Sequence, residues 1–137
     1  MAYEFSNSAV KVSAVKVSRV AGADLSSSQY KFVKLDNGTG DVVAVDGATD
    51  RPFGVLQNDP ASGEIAEVVI VGGTKVNAGG SASVGQPLFA NASANAVTLV
   101  VGGSGSAAYL VGTFVEDAAS GAITTAVIDC ANAGRGL

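Results

Sequence analysis

The chain has no histidine, no tryptophan and a single cysteine in 137 residues. Without histidine there is no Ser-His or Cys-His dyad, and no imidazole to bind a metal or act as a general base. One cysteine excludes an internal disulfide and a thiolate zinc cluster. Aromatic residues make up 6% and charged residues 15%, the latter against roughly 25% in an average soluble domain. No run approaches the roughly 20 apolar residues that span a bilayer, so no membrane is expected as a partner. The opening "MAYEFSNSAVKV" lacks a basic stretch followed by an apolar one and is not read as a secretory leader.

What is present is small and β-forming: 23 Ala, 21 Val, 18 Gly and 14 Ser. A sparsely charged surface of small side chains suits a subunit of a larger assembly better than a free monomer. The net charge of −4 is unevenly placed. Residues 1–34 carry Lys11, Lys16, Arg19, Lys31 and Lys34 against Glu4 and Asp24, a balance of +3; residues 35–137 balance to −7. A basic leader on an acidic body can steer attachment to an acidic protein surface. Five basic residues without interleaved aromatics do not predict nucleic-acid binding.

The leader repeats "AVKVS" at Ala9–Ser13 and Ala14–Ser18. A five-residue unit breaks two-residue alternation, so Val10 and Val12 point to one side while Val15 and Val17 point to the other. This predicts an extended arm over residues 1–23, running over a partner, or a strand with a bulge between the copies. Its candidate contact residues are Val10, Lys11, Val12, Val15, Lys16, Val17 and Arg19.

After the polar break "ADLSSSQ" the pattern is all-β. Residues 30–35 and 41–45 read as strands joined by a hairpin turn over Asp36–Gly40, with Asn37 and Gly38 as its marker residues, because Asn and Gly tolerate positive φ. "GVLQNDPASGEIAEVVI" (54–70) returns as "GTFVEDAASGAITTAVI" (112–128) at an offset of 58, with eight of 17 positions identical. Each copy reads as strand, turn, strand, with Gly63 and Gly121 in the turns. Asp59 and Ser62, like Asp117 and Ser120, can bond nearby amides there. Two such hairpins on opposite sides of one small β-sandwich or β-barrel of short antiparallel strands are expected. The domain is placed at 24–130, with a loose tail at 131–137.

Candidate chemistry is thin. "GGTK" (72–75) and "GGSGS" (102–106) lack the spacing of a phosphate loop and read as turns. Asp41, Asp46, Asp50 and Asp59 read as solvated loop acids, not calcium ligands. Glu116 and Asp117 lack a second carboxylate at a defined distance. Cys130 has no base beside it. No catalytic residue, metal or cofactor is expected. The unbroken apolar runs at Val68–Val71 and Val97–Val101 put apolar groups on both faces of a strand, and make Val69, Val71 and Val100 candidates for contact between copies.

The residues "DLSSSQYKFVKL", "RPFGVLQNDPASGEIAEVVIVGGTKVNAGG" and "YLVGTFVEDAASGAITTAVI" with the closing "GR" carry a resemblance. From Asp24 to Arg135 the chain resembles the small capsid decoration, or cement, proteins of tailed bacteriophages. The resemblance implies a compact β domain, commonly a homotrimer, made in the host bacterial cytoplasm and set on the outer capsid surface of the virion. Such proteins clamp neighbouring subunits of the major capsid protein, and can touch neighbouring decoration subunits, without catalysis. The alternative is another phage or bacterial surface β module, from a tail, fibre or surface layer.

Overall fold

Val, Ile and Thr are stiff at χ1 and favour extended backbone, and Gly and Ser punctuate them about every ten residues. The computed structural model describes residues 13–98 and 108–135, and among these there is no helix. The strands are β1 (Ala14–Val20), β2 (Phe32–Leu35), β3 (Val42–Ala44), β4 (Gly54–Leu56), β5 (Ile65–Asn77), β6 (Pro87–Ala90), β7 (Ala96–Val97), β8 (Tyr109–Phe114), β9 (Ile123–Asp129) and β10 (Gly134–Arg135). They form one curled sheet in the order β3-β2-β4-β5-β9-β8-β6-β7, with β1 on β5 and β10 on β8. Every pairing of named strands is antiparallel.

The 17-residue echo is the visible part of a repetition that runs through the whole sheet. The pairs Phe32↔Val55 and Val33↔Gly54 are matched by Pro87↔Thr113 and Leu88↔Gly112. Val55↔Val69 and Leu56↔Val68 are matched by Thr113↔Val127 and Phe114↔Ala126. Val20↔Ile65 is matched by Asn77↔Ile123. The bridge Ala21↔Val42 returns as Ala78↔Ala96, both parallel. One unit is therefore β1, β2, β3, β4 and the first half of β5. The other is the second half of β5 with β6, β7, β8 and β9. Each comes round until its end strands touch, giving two small barrel-like units fused through β5. The expected hairpins, β4–β5 and β8–β9, do not sit on opposite sides of one barrel. Thirteen residues of β5 serve both units, so the hairpins lie edge to edge through β5 and β9.

The turns repeat as well. Gly63 and Gly121 have φ of +86° and +84°, and their N–H groups donate to Ala21 O and Ala78 O, each at 2.8 Å. In the first turn Ala61 N–H donates to Glu64 Oε1 at 2.7 Å; in the second unit Asp117 accepts from Val84 N–H, far away in sequence, at 2.9 Å. The β2–β3 turn forms at the expected place by different means. Asp36 Oδ1 accepts from Gly38 N–H at 2.7 Å, and the left-handed residue is Gly40, at φ +74°, not Asn37 or Gly38.

Gly72 and Gly73 do not make a turn; they lie inside β5. Gly72 has φ +120°, and a Cβ there would run into the backbone of Ser13 and Ala14. Glycine lets β1 and β9 both reach β5 at the seam between the units. Gly54 and Gly112, equivalent by the repeat, are needed for another reason. A Cβ at either would overlap a carbonyl oxygen of the neighbouring strand, Val69 O and Val127 O respectively.

The core is a single cluster that includes Phe32, Leu56, Val68, Leu88, Phe114 and Ile128. In β9 alternation is strict: Thr124, Ala126 and Ile128 are buried while Ile123, Val127 and Asp129 are exposed. In β5 the run Val68, Val69, Ile70 is buried on both faces, because the seam between the units covers the second face. Toward the end of the described residues, Gly134 and Arg135 pair with Leu110 and Tyr109.

Candidate functional site

The second AVKVS copy is a strand. β1 pairs along β5 from Ala14↔Gly72 to Val20↔Ile65, and among the described residues it pairs with no other named strand. The bulge lies between Val15 and Lys16, inside this copy and not between the two. It flips the strand's alternation. Val17, opposite buried Val68, packs against the core, while Val15, opposite Val71, is 57% exposed. Lys16 and Arg19 are exposed. Arg19 donates from Nε and a terminal nitrogen to Gly40 O, at 2.9 and 2.5 Å, tying β1 to the β2–β3 turn. Ser18 Oγ donates to the Glu67 carboxylate across the strand pair. Val10, Lys11 and Val12 lie outside the described residues.

The candidates for contact between copies fare differently. Val69 is 1% exposed in the single chain, so its side chain packs inward and offers no surface; Val55 opposite and the seam behind it cover it. Val71 is half-buried against the core, and Val100 lies outside the described residues. Exposed apolar residues occur elsewhere: Val84 at 62%, Val127 at 49% and Val115 at 41%. The signal for Val127 is in "AITTAVID", where apolar residues fall on both parities of a strand whose even positions alone fill the core.

Two hollows adjoin β2. One, of about 620 Å³, is lined by Lys34, Asp36, Asp46, Asp50 and neighbours. Lys34 Nζ donates to Asp46 Oδ1 at 2.7 Å and Asp50 Oδ2 at 2.8 Å. Asp50 also accepts from the N–H groups of Asp46 and Gly47 at 3.2 and 2.9 Å. The hydrogen bonds to Asp46 and then Asp50 raise the Lys34 ammonium above its ordinary pKa. For Asp50, burial pushes upward, but Lys34 and the bonds from Asp46 outweigh it and hold the carboxyl below the usual range. Two of the acids from the loop are thus spent on a lysine, and among the described residues no three His, Cys, Asp or Glu side chains gather as a metal site.

The other hollow, of about 450 Å³, is apolar, with Leu35, Pro52, Phe53, Ile70 and Cys130 in its wall. Arg51 crosses its mouth, donating to Ala131 O at 3.3 Å and lying 6.0 Å from the centre of the Tyr109 ring. Burial, and then the Asp129 charge, push the Cys130 thiol up to about 12, which leaves almost no thiolate at neutral pH. This chemistry does not make a nucleophile. What the described residues present is surface: the β1 strand, with Val15 and Lys16 exposed, and a set of exposed β-branched side chains.

Among solved structures, the chain is similar to the N base of the head fiber gp8.5 of bacteriophage phi29, with a TM-score of 0.59 and 21% identity over 90% of this chain and 97% of that one. This is a likeness of fold. No curated protein sequence matches the chain. Residues 33–128, from the first unit into the last strand of the second, match the phage cement protein family. The chain belongs to that family, the phage cement proteins, and is a structural component of the virion.

Proposed function

We propose that the protein is a non-enzymatic cement that binds the outer surface of the phage capsid and ties neighbouring subunits of the major capsid protein together, acting as a homotrimer. The family match supports the reading. The observation that carries it is β1: among the described residues its seven residues pair with one named strand, β5, and Val15 and Lys16 are exposed. An unpaired edge is a template for another chain, and its positive charge suits an acidic partner. Val10, Lys11 and Val12 continue this contact in the proposal. Several copies held together engage several shell subunits at once, which multiplies a weak contact.

The test is binding of purified protein to capsids stripped of decoration, read as occupancy by gel densitometry and electron microscopy. Val15→Asp with Lys16→Glu is expected to lower occupancy at least tenfold while the melting temperature stays within a few degrees; undiminished occupancy overturns the proposal. Deleting residues 1–23 is the wrong experiment, because it removes a strand of the sheet with the contact. The likeness to a fiber base supports a second reading, in which the protein seats a longer appendage on the shell. Imaging of the decorated particles separates the two.

A further inference from the structure

The two units within one chain do not face each other symmetrically. In the first, the cross-strand row Phe32, Val55, Val69 is 0%, 0% and 1% exposed. The equivalent row in the second is Pro87, Thr113, Val127, in which Pro87 and Thr113 are exposed and Val127 is 49% exposed. A two-fold contact buries the same patch on both partners; a patch buried on one alone marks a head-to-tail contact. A head-to-tail contact leaves one unsatisfied face at each end of the chain.

We propose that the exposed face of the second unit, centred on Val127, Val115 and Val84, is the seat for the first unit of another copy of this chain. This deepens the reading of a self-associating cement by naming the surface. The contact inside the chain is the template. There, Asn77 N–H donates to Tyr30 O at 2.9 Å and Gln57 Nε2 to Thr74 Oγ1 at 2.8 Å. By the repeat, Tyr30 corresponds to Gly85, and these share the left-handed conformation at φ +64° and +87°. Asn77 corresponds to Val20, and Gln57 to Val115. The template therefore places Val20 of one copy, 39% exposed, beside Gly85 of the next, whose neighbour Val84 is 62% exposed. Two exposed apolar side chains, one on each unit, become partners.

One bond of the template changes. Phe32 N–H donates to Ala94 O inside the chain, but its counterpart Pro87 has no N–H. The counterpart of Ala94, Gly40, already accepts from Arg19. Both sides of that bond are removed together, so the contact between copies is the more apolar one. Repeated head to tail, it closes into a ring when its rotation divides a full turn.

The test uses the full chain. Light-scattering mass over a concentration series is expected to show a closed oligomer for the unmodified protein. Val127→Asp is expected to shift the midpoint of assembly at least tenfold, with circular dichroism and melting temperature unchanged because the side chain is at the surface. Val127→Thr, nearly the same shape, is expected to retain the mass. Val20→Cys with Val84→Cys should form disulfide-linked multimers on mild oxidation, whereas either single variant should not. A protein that stays monomeric at hundreds of micromolar, a Val127→Asp variant of undiminished mass, or disulfide dimers from Val84→Cys alone would each overturn the proposal. Particle binding, measured alongside, separates this from the capsid reading: a protein that assembles but never binds particles refutes that reading and leaves this one standing.

Discussion

At the scale of single residues, the glycines rank themselves by what a methyl group would meet. At Gly112 it would strike Val127 O, and at Gly54 it would strike Val69 O and the Val68 side chain. At Gly121 it would meet open space, and only the φ of +84° opposes it. Gly121→Ala is expected to cost about 1 kcal/mol, the usual penalty of left-handed backbone. Gly112→Ala should cost more, about 3 kcal/mol, because two strands must move apart. Urea unfolding midpoints give the order, and equal effects would refute it. Lys34 offers a second measurement. Its raised pKa contributes stability that is complete below the ordinary lysine value of about 10.4 and is lost as pH rises through the folded value. The depressed Asp50 contributes stability above about pH 4 that is lost as pH falls through its folded value. Lys34→Met should flatten both limbs of the stability–pH curve and cost about 1 kcal/mol at pH 7. Cys130 should react with a thiol reagent at pH 8 only as fast as the protein unfolds, since it is 2% exposed and protonated.

At the scale of elements, legibility followed sequence identity. The hairpins β4–β5 and β8–β9 can be read from the chain because their turns demand the same Ala-Ser-Gly. The equivalence of β2 and β6 cannot: "FVKL" and "PLFA" share no residue at matched positions, since one lies in the seam and the other at the surface. Gly72-Gly73 misleads for a physical reason. A glycine pair serves a turn and a strand crossing alike, and only the approach of β1 decides which. In the Val68–Val71 run, Val68, Val69 and Ile70 are buried on two faces within the single chain, while Val71 is half-buried. The site was less legible than the fold. Val127 shows its meaning only when Val69, its buried counterpart, is set beside it.

At the scale of the whole molecule, the units share a strand and a core, which predicts that neither stands alone. Fragments 1–71 and 72–137, made separately, should lack dispersed amide spectra, while the intact chain should unfold in one transition with coincident fluorescence and circular dichroism curves. Two separated transitions would show that the seam is weaker than the shared core implies. A polypeptide built this way carries two similar units in each copy.

The same strand has a mechanical consequence. At roughly 3.3 Å per residue, β5 is about 43 Å long, held by β1 along one half and by β9 along the other. Antiparallel hydrogen bonds lie across the strand axis. A pull along β5 therefore loads them together, in shear, instead of opening them one at a time as peeling does. A molecule loaded along such a strand would behave as a tie rod, stiff in tension and weak only to being unzipped from one edge.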